Sequence, residues 1–288
     1  MRIRMYVRER RTMKILVTGA NGYLGKGIVK ELLDDSVEVV ATDIDVEDID
    51  ERAEKKAADL FQIDNPYEFF GEPDILLHLA WRDGFRHNSL KHMEDLSSHY
   101  EFILKLCNAG LKHICVLGSM HEVGFYEGSV DEYTPTNPQS LYGIAKNALR
   151  QATQLLAEEK KIIFQWIRGY YIVGNVANGC SVFSKLYEAE NAGKEYFPFT
   201  LGTNQYDFLD YDEFCKQVAA VVEQHEINGI INCCSGYPRR LSERVEQFIL
   251  DNGYKIKLQY GAFPDRPYDS KAIWGNNCKI DEILRKRK

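Results

Sequence analysis

Short apolar runs alternate with segments of helical periodicity along most of this chain. Residues 14–18, Lys-Ile-Leu-Val-Thr, form an apolar run ending in glycines, and residues 22–33 carry apolar side chains at helical spacing. Residues 37–42 predict a second strand that ends on Asp43. Residues 74–80 predict a buried strand, residues 90–109 an amphipathic helix, and residues 113–118 another strand. A loop rich in Gly, Pro and Asn runs on to Pro138, followed by a helix over 139–159 and a strand over 162–167. Strands alternating with helices imply βαβ units and a parallel sheet covered on both faces. Because parallel crossovers are right-handed, this order predicts an α/β fold with a doubly wound sheet.

Past Gly174 the pattern is less regular. It predicts a helix near 183–191, a strand at 206–209, a helix over 212–224, a strand at 229–234, a helix over 242–252 and a strand at 254–260. Some of these are expected to return to the sheet, others to build a smaller C-terminal lobe over its carboxyl edge. No repeat, low-complexity tract or Pro/Gly/Ser linker separates the halves. The expected division is a Rossmann-type dinucleotide domain over 13–175 and a substrate-binding lobe over 176–288. The basic segment from Arg2 to Arg11 has no apolar stretch or cleavage site, so it is not a secretory signal. Residues 1–12 are read as a mobile extension or a start-site artefact, with Met13 a second possible start.

At 288 residues the chain can bury a substantial core. A formal charge of −7 argues against a nucleic-acid partner, which usually demands a basic stripe. No apolar run approaches the length of a membrane span. The seven cysteines are odd in number and lack a Cys-x-x-Cys spacing, so neither a disulfide framework nor a zinc site is expected. Reduced cysteines in apolar runs (Cys115, Cys233, Cys234) fit a cytoplasmic protein.

Chemistry enters with two motifs. Gly19-Ala20-Asn21-Gly22-Tyr23-Leu24-Gly25 follows the first strand and opens the first helix, where glycines permit close backbone approach and helix N–H groups favour a pyrophosphate. Asp43 stands 24 residues after Gly19, where a carboxylate can accept from both adenine-ribose hydroxyls and repel a 2′-phosphate. NAD is therefore expected in preference to NADP. Asp59 and Leu60 are placed near the adenine, with helix capping by Asp59 as the competing role. Tyr142 and Lys146 lie four apart on one helix face, so the ammonium is expected to favour the phenolate and lower the tyrosine pKa. Ser119 ends the strand of residues 113–118, at the sheet edge where ligands collect.

With these pieces assembled, the chain resembles the extended short-chain dehydrogenase/reductase family, and more closely its branch acting on nucleotide-diphosphate sugars. The matching residues are Thr18 to Gly25, Asp43, His78-Leu79-Ala80, Gly118-Ser119, Tyr142 to Lys146, Arg168 with Gly174, Tyr206-Asp207-Phe208, Asp212, and Arg266 to Asp269. The resemblance implies Tyr142 as general acid/base, Ser119 orienting the reacting oxygen, and Lys146 on the nicotinamide ribose. It places Leu79, Ala80, Trp81 and Tyr171 beside the cofactor, and Met120, Tyr206, Arg266 and Asp269 with Ser119 at the substrate. Three departures are visible: His99 where the family usually has asparagine, Tyr206 in place of an arginine, and Tyr171 where asparagine is common. Neither the acidic pair of a 4,6-dehydratase beside Ser119 nor a Cys or His suited to 3,5-epimerisation near Tyr142 is found, although His121 and Glu122 are candidates for proton chemistry. The implied function is NAD(P)H-dependent reduction of a nucleotide-diphosphate 4-keto-(6-deoxy)sugar for surface polysaccharide, by a homodimer. The alternatives are a 4-epimerase or dehydratase with tightly held NAD, and a non-catalytic dinucleotide sensor.

Overall fold

The computed structural model describes residues 13–179, 181–264 and 270–287. The N-terminal segment 1–12, Cys180, Arg266 and Asp269 lie outside the described residues. The first half comprises β1 (Lys14–Thr18), α1 (Gly25–Asp34), β2 (Glu38–Asp43), β3 (Glu54–Ala57), α2 (Pro66–Phe69) and β4 (Ile75–His78). It continues through α3 (Lys91–Glu94), α4 (Leu96–Ala109), β5 (His113–Ser119), β6 (Gly128–Val130), α5 (Leu141–Lys160) and β7 (Ile163–Gly169). Then come β8 (Tyr171–Val173), α6 (Val182–Asn191), β9 (Tyr196–Pro198), β10 (Gln205–Asp210), α7 (Tyr211–Val222) and β11 (Gly229–Cys233). The chain closes with β12 (Pro238–Arg240), α8 (Leu241–Asp251), β13 (Lys257–Gln259), β14 (Ala272–Gly275) and α9 (Cys278–Arg287).

Seven strands form the main sheet in the order β11-β7-β5-β4-β1-β2-β3, all neighbours parallel. The doubly wound expectation is therefore met. From β1 the chain winds outward through β2 and β3, then returns to β4 on the other side, so the crevice opens between β1 and β4. Strand alternation divides the core. Ile15 and Val17 face Ile28, Leu32, Phe214 and Val218 on one side, while Leu16 and Leu76 face Phe102, Ile103, Leu149 and Trp166 on the other. α1 and α7 approach closely at Gly27, where a Cβ would come within 2.6 Å of the Tyr211 hydroxyl.

A second sheet, β12-β10-β14-β6 with β8 joined to β10, covers the carboxyl edge and encloses its own core of Phe183, Leu186, Phe208, Val245, Phe248 and Ile273. It draws β6 and β8 from before residue 175, while α7, β11 and α9 from the later half pack on or extend the main sheet. Asp207 on β10 is the tie of this layer. Its buried carboxylate accepts from the Ser235 N–H (2.8 Å) and hydroxyl (2.7 Å), from Gly236 N–H (2.9 Å) and from Gly275 N–H (3.1 Å).

Three expectations change in detail. The helix expected over 90–109 is interrupted at Asp95, whose carboxylate turns to accept from Arg82 Nε at 2.7 Å; a short polar side chain bonded off the helix favours a break. The strand expected over 254–260 is confined to β13, which among the described residues pairs with β9 alone. β3, Glu-Lys-Lys-Ala, escaped the hydrophobic pattern because it is an edge strand, where charge is tolerated. No helix among the described residues is long and apolar enough to cross a membrane.

Candidate active site

The glycine loop between β1 and α1 is pressed against the end of β4. A Cβ on Gly19, which has a φ of 69°, would lie 2.6 Å from Ala80 N, and one on Gly25 would lie 2.2 Å from Gly19 O. No side chain caps α1 at Leu24, so first-turn N–H groups are left for an anion. Asn21 Oδ1 is buried without a hydrogen-bond partner. An uncapped helix start and a glycine cradle fit a dinucleotide pyrophosphate. Asp43, ending β2, accepts from Asn21 N–H (3.0 Å) and Ile44 N–H (2.8 Å), which hold its carboxylate across the crevice edge from the loop. Tyr23 donates to Gly174 O (2.8 Å) and Tyr211 donates to Tyr23 O (2.7 Å), so loop, β8 end and α7 are joined. Leu60 and Leu79 are buried. Asp59 caps a 3₁₀ turn, accepting from Phe61 N–H at 3.0 Å, which is the competing role considered for it.

Ser119 ends β5 and caps the 3₁₀ turn of residues 120–122. Its hydroxyl accepts from His121 N–H (3.3 Å), and its own N–H donates to Glu122 Oε1 (2.6 Å). Glu122 is fully buried; it also accepts from Trp166 Nε1 (2.8 Å) and lies 3.5 Å from the Arg168 guanidinium. Glu122 therefore points into the core and fixes the serine, rather than offering a proton to the cleft. Gly118 makes this possible, since a Cβ there would sit 2.0 Å from Trp166 Nε1.

Helix α5 carries Tyr142 and Lys146. Ser140 caps it by accepting from Gly143 N–H (3.2 Å), while the loop at 87–88 satisfies Tyr142 N–H through His87 O (2.8 Å) and Leu141 N–H through Asn88 Oδ1 (3.3 Å). The glycine after Tyr142 is required by packing, because its Cβ would come within 2.3 Å of His121 O. Helix α5 thus docks on the turn that follows Ser119 and brings Tyr142 near enough for Ser119 to pull the phenol pKa down.

The expected coupling of Lys146 to Tyr142 is not what the structure contains. Lys146 donates to Leu117 O (2.8 Å) and lies 3.9 Å from the centroid of the Trp81 ring. Burial lowers its pKa to about 7, with Glu122 opposing. Burial raises Tyr142 to about 12, Ser119 pulling down and Glu122 pushing up. Desolvation dominates, so Tyr142 is held as the phenol.

Trp81 stacks on His99 with ring centroids 4.5 Å apart. His99 Nδ1 meets His78 Nε2 at 2.9 Å, and His78 Nδ1 meets Thr18 Oγ1 at 2.8 Å. Burial drives His99 down to about 3 and His78 well below the usual histidine range, so the chain is neutral. Where the resemblance implies an asparagine, this molecule therefore has an imidazole pair. His87, His92 and His121 surround Tyr142, with centroids 5.4, 5.3 and 5.9 Å from its ring. Sequence reasoning passed over His87 and His92. The available signal was the concentration of six of the seven histidines between residues 78 and 121. Met120 is buried under the lobe, and Tyr206 is buried with its ring 4.4 Å from that of Tyr171.

Residues 15–234 match the NAD dependent epimerase/dehydratase family. The chain belongs to that family. This NAD dependent epimerase/dehydratase is 40% identical to dTDP-6-deoxy-L-talose 4-dehydrogenase (NAD(+)) of Aggregatibacter actinomycetemcomitans, over 91% of this chain and 99% of that one. Its fold is also that of UDP-N-acetylglucosamine 4-epimerase from Methanobrevibacter ruminantium, with a TM-score of 0.81, 20% identity, and coverage of 94% and 92%. UDP-glucose 4-epimerase from Thermotoga maritima gives a TM-score of 0.80 at 20% identity, with the same coverage. The family member described here is an enzyme of the extended short-chain dehydrogenase/reductase type, as the motifs implied.

Proposed function

We propose that this protein is an NAD(H)-dependent oxidoreductase acting at C4 of a dTDP-6-deoxyhexose, reducing the 4-keto sugar in surface polysaccharide precursor synthesis. The observation that carries the proposal is the 40% identity, spanning 99% of a relative named for 4-dehydrogenation of dTDP-6-deoxy-L-talose with NAD(+). Oxidation of that 4-hydroxyl and reduction of the resulting ketone are one step in two directions.

Bound NAD(H) supplies the hydride acceptor or donor. Gly19, Asn21, Gly22, Tyr23, Leu24 and Gly25 would hold its pyrophosphate, Asp43 the adenine ribose, Asp59 and Leu60 the adenine side, and Leu79, Ala80, Trp81 and Tyr171 the remaining wall. Lys146 would hold the nicotinamide ribose. Ser119 and Tyr142 are neighbours, close enough for the serine to pull the phenol pKa down, and would bind one oxygen, O4 of the sugar. In reduction, negative charge develops on that oxygen. Ser119 donates a hydrogen bond to it and Tyr142 gives up its proton. The phenol form favoured by burial suits that direction. Met120, Tyr206, Arg266 and Asp269 belong to the proposed sugar-nucleotide side.

The test is incubation with a dTDP-4-keto-6-deoxyhexose and NADH. One NADH should be oxidised per sugar, with NADH preferred over NADPH by at least about tenfold, or about 1.4 kcal/mol. Interconversion of UDP-glucose and its C4 epimer without net NADH change would replace this proposal with the epimerase alternative.

A further inference from the structure

Net reduction at C4 consumes a proton from solvent at every turnover, because Tyr142 gives its proton to O4 and is left as the phenolate. Its ring is closed in by Trp81 and three histidines. The histidines differ in what their ring nitrogens do. His92 is engaged at both, with Trp81 Nε1 at 3.0 Å and Arg86 O at 3.0 Å. His78 is likewise engaged at both. Among the described residues, neither ring nitrogen of His121 has a hydrogen-bond partner, while its backbone N–H donates to the Ser119 hydroxyl. That ring is partly exposed, tilted against His87 at 4.3 Å between centroids, and set edge-on to Tyr142.

We propose that His121, backed by His87, is the relay that returns a proton from solvent to Tyr142 after each reduction and carries it away after each oxidation. The inference rests on the oxidoreductase function proposed above. In balance, the hydride carries two electrons to C4 of the sugar, and O4 takes the Tyr142 proton. An N–H of His121 then gives its proton to the phenolate through one water, while its other nitrogen takes a proton from solvent or from His87. A neutral imidazole relays in this way by changing tautomer, and its ring stands edge-on to that of Tyr142 with centroids 5.9 Å apart. The same route run backwards serves oxidation. His121 does not touch the reacting carbon and acts through Tyr142.

Stopped-flow and steady-state NADH oxidation by the full chain test this, with wild type, His121→Gln and His87→Gln compared on the same 4-keto sugar. Tyr142 starts each experiment protonated. The first turnover of His121→Gln should therefore stay within about twofold of wild type, whereas steady-state turnover falls about tenfold or more. Added imidazole should restore steady-state turnover of His121→Gln, and His87→Gln should show a weaker loss of the same kind. Equal slowing of first and later turnovers, unchanged steady-state turnover, or no rescue by imidazole would each overturn the relay. Absence of NADH oxidation by wild type would instead count against the proposed function.

Discussion

At the scale of single residues, environment decides what a motif can do. Four-residue spacing puts Tyr142 and Lys146 on one helix face, yet Lys146 turns to Leu117 O and the Trp81 ring, and burial raises the phenol to about 12. In the proposed reaction, oxidation at C4 needs the phenolate, whereas reduction needs the phenol. Oxidation kcat/KM should therefore climb steadily from pH 7 to pH 9 while reduction stays level or falls, measured by steady-state rates in both directions. Tyr142→Phe should lower both directions by roughly 10²–10⁴-fold and leave NADH binding within about twofold. A rate within tenfold of wild type would move the proton donor elsewhere.

At the scale of elements, the serine is placed by a buried brace linking β5, the following turn and β7. Glu122 receives Ser119 N–H and Trp166 Nε1 and neutralises Arg168, with Arg150 Nε at 3.8 Å. Glu122→Gln keeps the volume but turns an amide NH₂ toward donors that need an acceptor. A cost of about 3–5 kcal/mol in urea melts is expected, because one partner of a buried ion pair is lost. A drop in kcat of about tenfold should accompany it as Ser119 loses its fixed position. Unchanged stability would mean that Arg168 is satisfied by its bond to Asp131 O (3.1 Å) alone. The elements themselves were largely legible: main-sheet strands in apolar runs, α5 and α7 in helical periodicity. β3, β6, β8, β12 and β14 were not, since three- and four-residue strands carry too few side chains to establish a period.

At the scale of the whole molecule, buried neutral histidines tie stability to pH. His78, His99 and His113 are 5% exposed or less, and burial holds His99 at about 3 and His113 at about 4. Their folded pKa values lie below the unfolded value of about 6.5, so protonation favours unfolding. Their contribution is complete above that value and is lost as pH falls toward 4, by about 1.4 kcal/mol for each at pH 5.5. Glu223, raised to about 7 by burial, works in the opposite sense and offsets part of the loss. Thermal melts should show Tm falling by about 5 °C between pH 7.5 and 5.5. A Tm constant over that range would mean that these imidazoles are protonated and paired in the folded protein.

Sequence determined the doubly wound, parallel character of the main sheet, the glycine loop with its helix start, Asp43 at the end of β2, and Ser119, Tyr142 and Lys146 as the candidate set. These depend on local spacing and on apolar periodicity, which the chain carries whatever it packs against. Tertiary structure alone decided the direction of the Tyr142 and Lys146 pKa shifts, the inward turn of Glu122, and the gathering of His87, His92 and His121 around one phenol. Desolvation and ring packing arise between segments far apart in the chain. Here the loop after β4, the turn after β5 and the start of α5 meet only when the sheet is complete.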